Sequence, residues 1–268
     1  MSSGRKVAIG VGAVVAVIVA ALAFLLWPRT ATEVTEDQAV EDFRDRSTTT
    51  SKSADDTPER TTPRPGVYTY SAEGTEDVKL GPLPTETRTL PPTLTAVAVD
   101  AGDGCFDWTV NLFTQHTEDT RYCTDPVLTF QSHAKHQTIG AISATATITC
   151  DPKALLTPEA KEGTPSSTEL NCTLELAGGP KAVKATLAGT ATWDGHTEKI
   201  DVGGTDVDTR PIKMNFPVTG DITGTWDETV WWSSDHLPVR IERSFHLAGP
   251  ATFNEDSKLQ LTSLEPSS

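Results

Sequence analysis

The stretch Leu237-Pro-Val-Arg-Ile-Glu-Arg-Ser-Phe-His-Leu247 decides the fold class, because its side chains alternate between a mainly apolar and a mainly polar face. One face carries the apolar residues together with one arginine: Leu237, Val239, Ile241, Arg243, Phe245 and Leu247. The other face is mostly polar: Pro238, Arg240, Glu242, Ser244 and His246. A period of two is typical of a strand with one buried and one solvated face. The stretch therefore predicts a β-strand that covers a hydrophobic core.

The same alternation recurs along the chain after residue 66, and no helical period of useful length appears there. The predicted strands cover residues 66–71, 93–99, 105–113, 120–130, 141–150, 170–177, 183–193, 196–202, 212–218, 222–232, 237–247 and 258–264. We expect about eleven strands in a meander of hairpins, with Asp194-Gly195 as a turn. One-sided strands need closure or a second layer to bury their apolar faces. The fold class is therefore all-β, as an antiparallel curved sheet or partial barrel over residues 66–264.

The last two strands of this set give the most specific prediction. Trp226, Val230 and Trp232 are in phase on one strand. Val239, Ile241 and Phe245 are in phase on the next, and residues 233–236 supply turn residues between the strands. We expect an antiparallel hairpin with these six side chains on one buried face.

A transmembrane helix is predicted over residues 7–27, which are 21 consecutive residues without a charge. About 20 apolar residues cross a bilayer. Arg5 and Lys6 precede the span, so residues 1–6 form a cytoplasmic tail and the domain lies outside the cytoplasm. The alternative is a cleaved signal peptide, because Ala21-Leu22-Ala23 resembles a cleavage site. Residues 28–65 are expected to hold a short juxtamembrane helix, capped by Thr35 and Gln38, and then a disordered Thr/Pro-rich tether.

The charge and the cysteines indicate the compartment. The chain carries 37 acidic against 22 basic residues, a net charge of −15, which argues against nucleic-acid binding. Its four cysteines all follow the span, as expected for disulfides in an oxidising space. Cys105 and Cys123 fall on the polar face of one hairpin, and Cys150 and Cys172 on the core side of neighbouring strands. We predict the pairs 105–123 and 150–172, the one connectivity built from sequence neighbours.

The tryptophans are the candidate ligand contacts. Trp108, Trp193, Trp226 and Trp232 fall on inferred core faces, where they fill the interior or, in an open half-barrel, line a cavity for an apolar ligand. Trp231 falls on the opposite face and is expected to be an exposed contact.

Catalytic and metal motifs are not found in the sequence. It contains no Gly-x-Ser-x-Gly, His-Glu-x-x-His or Gly-x-x-x-x-Gly-Lys pattern. His133 and His136 would face opposite sides of a strand, and Asp201, Asp206 and Asp208 lack the spacing of a calcium loop. Asn171-Cys-Thr173 matches a glycosylation acceptor, but Cys172 is expected to be bridged on a core face. We expect no catalytic residues, no metal and no cofactor.

Several short motifs resemble a known group of proteins. They are a basic start before one span, an acidic tether, Pro65-Gly-Val-Tyr-Thr-Tyr70, Cys105-Phe-Asp-Trp108, Arg121-Tyr-Cys123 and Trp231-Trp232 followed by Leu237-Pro-Val-Arg240. This pattern resembles uncharacterised single-pass membrane-anchored envelope proteins of actinobacteria. The closing strands are also similar to the half-barrel of lipoprotein-localisation-type carriers, although Asp235-His236 stands where those relatives have Asp-Gly and a lipobox cysteine is missing.

Three functions follow as hypotheses. The first is a membrane-anchored, extracytoplasmic interaction domain of the cell envelope that is not an enzyme and contacts an envelope protein. The second is lipid or apolar-ligand binding in a half-barrel, and the third is a hydrolase. The sequence leaves the oligomeric state open.

Overall fold

The computed structural model describes residues 31–47, 61–80, 84–139, 142–178 and 183–268. It contains one described helix, α1 (Glu36–Ser47), and a set of antiparallel strands. The strands are β1 (Gly66–Leu80), β2 (Glu86–Thr89), β3 (Thr93–Gly102), β4 (Cys105–Phe113), β5 (His116–Cys123), β6 (Thr129–Ile139), β7 (Ile142–Asp151), β8 (Ser166–Ala177), β9 (Val183–Trp193), β10 (Glu198–Val202), β11 (Thr205–Gly220), β12 (Thr223–Trp232), β13 (Pro238–Ala248) and β14 (Ala251–Leu261).

The all-β prediction is confirmed, but the sheet is a closed barrel and not a partial one. Twelve strands form the wall, in the order β11-β12-β13-β14-β1-β3-β4-β5-β6-β7-β8-β9. Pairing of β11 with β9, for example Met214 opposite Ala191, completes the circuit. Among the described residues, β2 pairs only with β1, and β10 only with β11. Closure is favoured because it leaves no unpaired edge in the wall.

The predicted last hairpin is confirmed in its antiparallel pairing and in the face that it buries. Trp226 lies opposite Phe245 and Val230 opposite Ile241, with a bulge next to Trp232. All six predicted core side chains are buried.

Several strand predictions were wrong in extent: β1 continues to Leu80 instead of ending at residue 71, β11 begins at Thr205 instead of residue 212, and β14 begins at Ala251 instead of residue 258. Residues 120–130 belong to two strands, since β5 ends at Cys123 and β6 begins at Thr129, with a turn around Pro126. Most of β6 was missed, because its inward positions include His133, Lys135 and Gln137, so the strand lacks an apolar face. The short strand β2 was also missed, and its inward residues Glu86 and Arg88 are charged.

The predicted juxtamembrane helix corresponds to α1, which packs on the outside of the barrel. The Thr35 amide donates to Gln38 Oε1 at 3.0 Å and the Gln38 amide to Thr35 Oγ1 at 3.4 Å, which is the predicted capping box. Ala39 of the helix lies in a small apolar cluster with Val67 and Val97.

The segments around α1 fall partly outside the described residues. The predicted tail 1–6, the predicted span 7–27 and most of the predicted tether lie there. Among the residues that are described, no helix is both long enough and apolar enough to cross a bilayer. Residues 61–65, predicted as tether, instead pack on the barrel, where Pro63 is buried and Arg64 pairs with Glu265 at 2.6 Å.

The two ends of the barrel differ. At the end that holds the β12–β13 turn, Leu155 and Leu156 of the β7–β8 loop are buried, and the Leu155 amide donates to the Leu128 carbonyl at 2.9 Å. We call this the plugged end. At the other end, which holds the β11–β12 and β13–β14 turns, the inward side chains Ile139, Leu176 and Phe253 are only half-buried. We call this end the mouth.

Candidate functional site

A cluster of buried charged side chains occupies the barrel interior between the mouth and the aromatic core. It contains Glu76 of β1, Glu86 and Arg88 of β2, His116 and Glu118 of β5, Lys135 of β6, Glu228 of β12, Arg243 of β13 and Glu255 of β14. We call these nine residues the charged layer. Each is 9% exposed or less, which is uncommon for ionisable residues unless they are paired.

Arg243 lies at the centre of the charged layer. Its Nη1 donates to Glu118 Oε2 at 2.8 Å and to Glu255 Oε1 at 3.1 Å, and its Nε donates to Glu228. Burial opposes the charged guanidinium, but the charges of Glu118, Glu228 and Glu255 outweigh it and raise the pKa of Arg243 well above its ordinary value. Three strands of the wall are therefore joined to β13 through one side chain.

Lys135, on β6, contacts two of the carboxylates that Arg243 binds, those of Glu118 and Glu255. Its ammonium bonds to Glu118 and lies 3.0 Å from Glu255 Oε2. It also lies 4.9 Å from the ring centre of Phe245 and 5.1 Å from that of Phe253, within cation–π distance. Burial opposes ionisation of Glu255, but Lys135 and Arg243 lower its pKa to about 2. The same two cations hold the pKa of Glu118 well below its usual range, again against burial.

His116 and Arg88 extend the layer towards β1 and β2. His116 Nδ1 bonds to Glu76 Oε2, and its Nε2 lies 3.2 Å from Glu118 Oε1. Burial opposes protonation, but the charge of Glu76 and hydrogen bonds to Glu118 and Glu76 outweigh it and raise the pKa of His116 to about 9. Arg88 bonds to Glu76 at 3.0 Å and to Glu86 at 2.7 Å. Because its pKa is raised to about 9, the His116 imidazole is protonated at neutral pH.

The atoms of Glu76, His116 and Glu255 lie within 4.8 Å of one another, a spacing at which three residues can hold a metal ion. The cations of the protein itself already occupy this region. A histidine that binds a metal ion must be neutral, whereas His116 is protonated at neutral pH. Glu255 is already bonded to both Lys135 and Arg243. This arrangement fits an internal ion-pair network better than a metal centre.

The mouth holds an apolar pocket directly above the charged layer. Its volume is about 120 Å³, and its walls are mainly apolar: Val78, Ile139, Ala144, Ala146, Ile148, Leu174, Leu176, Ile222, Phe245, Leu247, Ala251 and Phe253. Lys135 and Gln137 are its polar side chains of β6, and Thr252 contributes from β14. We call it the mouth pocket.

The predicted ligand-lining tryptophans do not form this pocket. Trp108, Trp193, Trp226 and Trp232 are each 2% exposed and belong to the packed core. Trp108 and Trp226 border a cavity of about 20 Å³, which is room for about one water molecule. Trp193 and Trp232 border two other cavities near the plugged end. The four indoles therefore do not share one ligand cavity.

Trp231 is not the exposed contact that the alternation predicted. It is 7% exposed, its Nε1 donates to Glu198 Oε2 at 2.8 Å, and the Arg240 guanidinium lies 4.6 Å from its ring centre. The prediction was wrong because the side chains of Glu198 and Arg240 contact Trp231 and cover it.

Both predicted disulfides are confirmed. Cys105 pairs with Cys123 between β4 and β5, and Cys150 with Cys172 between β7 and β8. Cys150 and Cys172 are buried as expected, whereas the first pair is half-buried.

The other residues considered as metal ligands or as a glycosylation site lie in strands and turns. His133 is buried and bonds to Thr120 at 2.8 Å, while His136 on the outer face lies 3.1 Å from Asp119. In the described ranges, Asp201, Asp206 and Asp208 form no group with metal-binding spacing. Asn171 is exposed beside the bridged Cys172.

Fold and site together define a closed antiparallel β-barrel with a charged layer inside it and a small apolar pocket at one mouth. Comparisons with protein-family models, with curated proteins and with solved structures find no match to this chain.

Proposed function

We propose that the barrel is a non-enzymatic interaction domain of the cell envelope, and that its mouth pocket receives one apolar side chain of a protein partner. The observation that carries this proposal is the size of the pocket. At about 120 Å³ it is smaller than a cavity of ~150 Å³ that holds benzene. In protein–protein interfaces, a few side chains that fill well-packed pockets supply most of the binding energy.

The charged floor of the pocket favours a single amino-acid side chain as the ligand rather than a lipid chain. Lys135 lines the pocket and is bonded to Glu118 and Glu255 below it. A long acyl chain that entered deeper would have to displace these ion pairs, and breaking a buried pair costs about 3–5 kcal/mol. Lipid or apolar-ligand binding is therefore the less favoured alternative.

The charged layer gives little support to a hydrolase. A catalytic carboxyl group works best with a pKa near the working pH. Lys135 and Arg243 instead keep the pKa of Glu118 and Glu255 low, and both carboxylates are bonded to cations. We assign them a structural role.

We place the domain outside the cytoplasm, anchored in the membrane by residues 7–27 with the N-terminus inside. The two disulfides support an oxidising compartment. An impermeant protease added to intact cells should remove a tag fused after Ser268 and leave a tag fused before Met1. Protection of the C-terminal tag would contradict this orientation, and loss of the N-terminal tag from a mature chain would indicate cleavage.

The pocket itself is tested by photo-crosslinking in cells that make the protein. A photoreactive amino acid at Leu176, an inward and half-buried residue of the pocket wall, should crosslink to a defined protein partner. Ala146→Phe fills the pocket and should abolish the crosslink. Ala134→Phe is the matched control, because Ala134 is on the adjacent strand β6 but faces outward between the inward residues His133 and Lys135. A crosslink that survives Ala146→Phe would contradict the proposal, and a crosslink to lipid would favour the alternative.

A further inference from the structure

A second concave site lies at the plugged end, opposite the mouth pocket. Its volume is about 210 Å³, and it lies between β11, the β12–β13 turn and the β7–β8 loop. Leu156, Ile212 and Trp232 supply apolar wall, and Arg210 and His236 supply cationic or polar wall. We call it the plugged-end cavity.

Arg210 is an arginine without a counter-ion in the described part of the chain. Its guanidinium carbon lies 5.1 Å from the ring centre of Trp193. Among the described residues no carboxylate comes within 4.0 Å of it and none accepts a hydrogen bond from it, although Asp208 lines the same cavity. By contrast, Arg240 lies over Trp231 in the same manner and also bonds to Glu242. A guanidinium that rests on an aromatic face keeps its planar edge available for a carboxylate.

His236 lines the cavity beside Arg210, and its backbone has a left-handed conformation that residues other than glycine rarely adopt. Its φ is 59°, and the turn holds it there through hydrogen bonds from the His236 amide to the Ser233 carbonyl at 3.1 Å and from the Leu237 amide to Ser233 Oγ at 2.9 Å. Its Nδ1 donates to the Thr61 carbonyl at 2.8 Å. Left-handed non-glycine residues concentrate at functional sites, where the surrounding structure maintains the strain.

We propose that the plugged-end cavity binds a small organic anion with an apolar body, such as a monocarboxylate. The anionic group would meet Arg210, and the apolar body would pack against Ile212, Leu156 and Trp232. The volume exceeds the ~150 Å³ that accommodates benzene, so an aryl or short alkyl body fits. Arg210 is exposed and lies at the rim of the cavity, where its positive charge favours an anion although the chain as a whole carries a net charge of −15.

Isothermal titration calorimetry on the purified full-length chain tests this site with sodium benzoate, sodium hexanoate and phenyl phosphate. At least one should bind, whereas benzyl alcohol, which has the apolar body of benzoate without its charge, should bind about ten-fold more weakly or not at all. Arg210→Gln should weaken binding about ten-fold or more. Arg210→Lys keeps the charge but not the planar fork, so it should give an intermediate loss.

Arg240→Gln is the matched control, because it removes a tryptophan-stacked arginine that already has a carboxylate partner. It should leave the affinity within about two-fold, since the remaining surface charge is screened by salt. An equal loss in Arg240→Gln and Arg210→Gln would overturn the proposal. So would the absence of binding by all three anions at about 10 mM, a concentration at which even a site of millimolar affinity is filled.

Discussion

Arg243 of β13 and Glu118 of β5 are 125 positions apart in the sequence and bond directly inside the barrel, with 2.8 Å between Nη1 and Oε2. Their strands are separated in the wall by β14, β1, β3 and β4. The bond therefore crosses the barrel interior and does not follow the backbone ladder. Lys135 of β6 bonds to the same glutamate, and both cations bond to Glu255. The barrel is thus tied together at mid-height by ion pairs as well as by apolar contacts.

The first prediction concerns removal of this central cation. Arg243→Ala should lower the free energy of unfolding by about 3–5 kcal/mol, because it leaves Glu118, Glu228 and Glu255 buried with too few partners. Arg121→Ala is the control: Arg121 pairs with Asp107 at the surface, where an ion pair contributes at most ~1 kcal/mol. Urea unfolding followed by tryptophan fluorescence measures both. Equal effects of the two variants would contradict a structural role for the charged layer.

Much of the barrel wall could be predicted from the sequence because its inward positions are apolar. β9 and β4 have the predicted bounds, and the buried faces of β12 and β13 follow from the phase of Trp226, Val230 and Ile241. Closure could not be predicted, since alternation gives the buried face of a strand but not the identity of its second neighbour. The pairing of β11 with β9 depends on the number of strands and their tilt, which are properties of the whole sheet.

The charged layer was missed for a physical reason. Periodicity analysis assigns charged residues to the solvent, so β6 and β2, whose inward positions are charged or polar, gave no strand signal. Two signals were present: Arg243 shares the apolar phase of its strand, and Glu228 shares that of Trp226 and Val230 on the neighbouring strand. A charge in a core phase predicts a buried partner of opposite sign, but the sequence does not show the partners Glu118 and Glu255, which lie on other strands.

The second prediction concerns alkaline pH. Glu76 and Glu118 raise the pKa of His116 from 6.5 to about 9 against the effect of burial, so the folded state holds this proton more tightly than the unfolded chain. The resulting stabilisation is complete below pH ~6.5 and is lost as the pH rises through about 9. Urea midpoints measured from pH 6 to pH 10 should fall in this window. His116→Gln should be less stable at pH 6 and should show a smaller alkaline decline, and an unchanged decline would assign it to other groups.

The third prediction concerns the acid side. Burial lowers the pKa of His133 from 6.5 to about 3, so the folded state resists a proton that the unfolded chain accepts. Stability should therefore fall as the pH drops from ~6.5 towards about 3. Titration of the imidazole by NMR should show His133 neutral at pH 5. Protonation of His133 near its ordinary pKa would contradict its burial beside Trp226 and Phe130.

The fourth prediction compares two neighbours in β13 that face opposite sides of the wall. Phe245 is 2% exposed, packs edge-to-face on Trp226 at 5.7 Å and on Phe253 at 5.4 Å, and covers the Lys135 ammonium. Phe245→Ala should therefore cost about 3–5 kcal/mol of unfolding free energy.

His246 is exposed and bonds to Ser244 at the surface, so His246→Ala should cost less than about 0.5 kcal/mol. Denaturant unfolding of the two variants at neutral pH gives both values. Because a shift of one residue in the β12–β13 register would exchange the two faces, equal costs, or a larger cost for His246→Ala, would reject the register that pairs Trp226 with Phe245 and places the mouth pocket above Lys135.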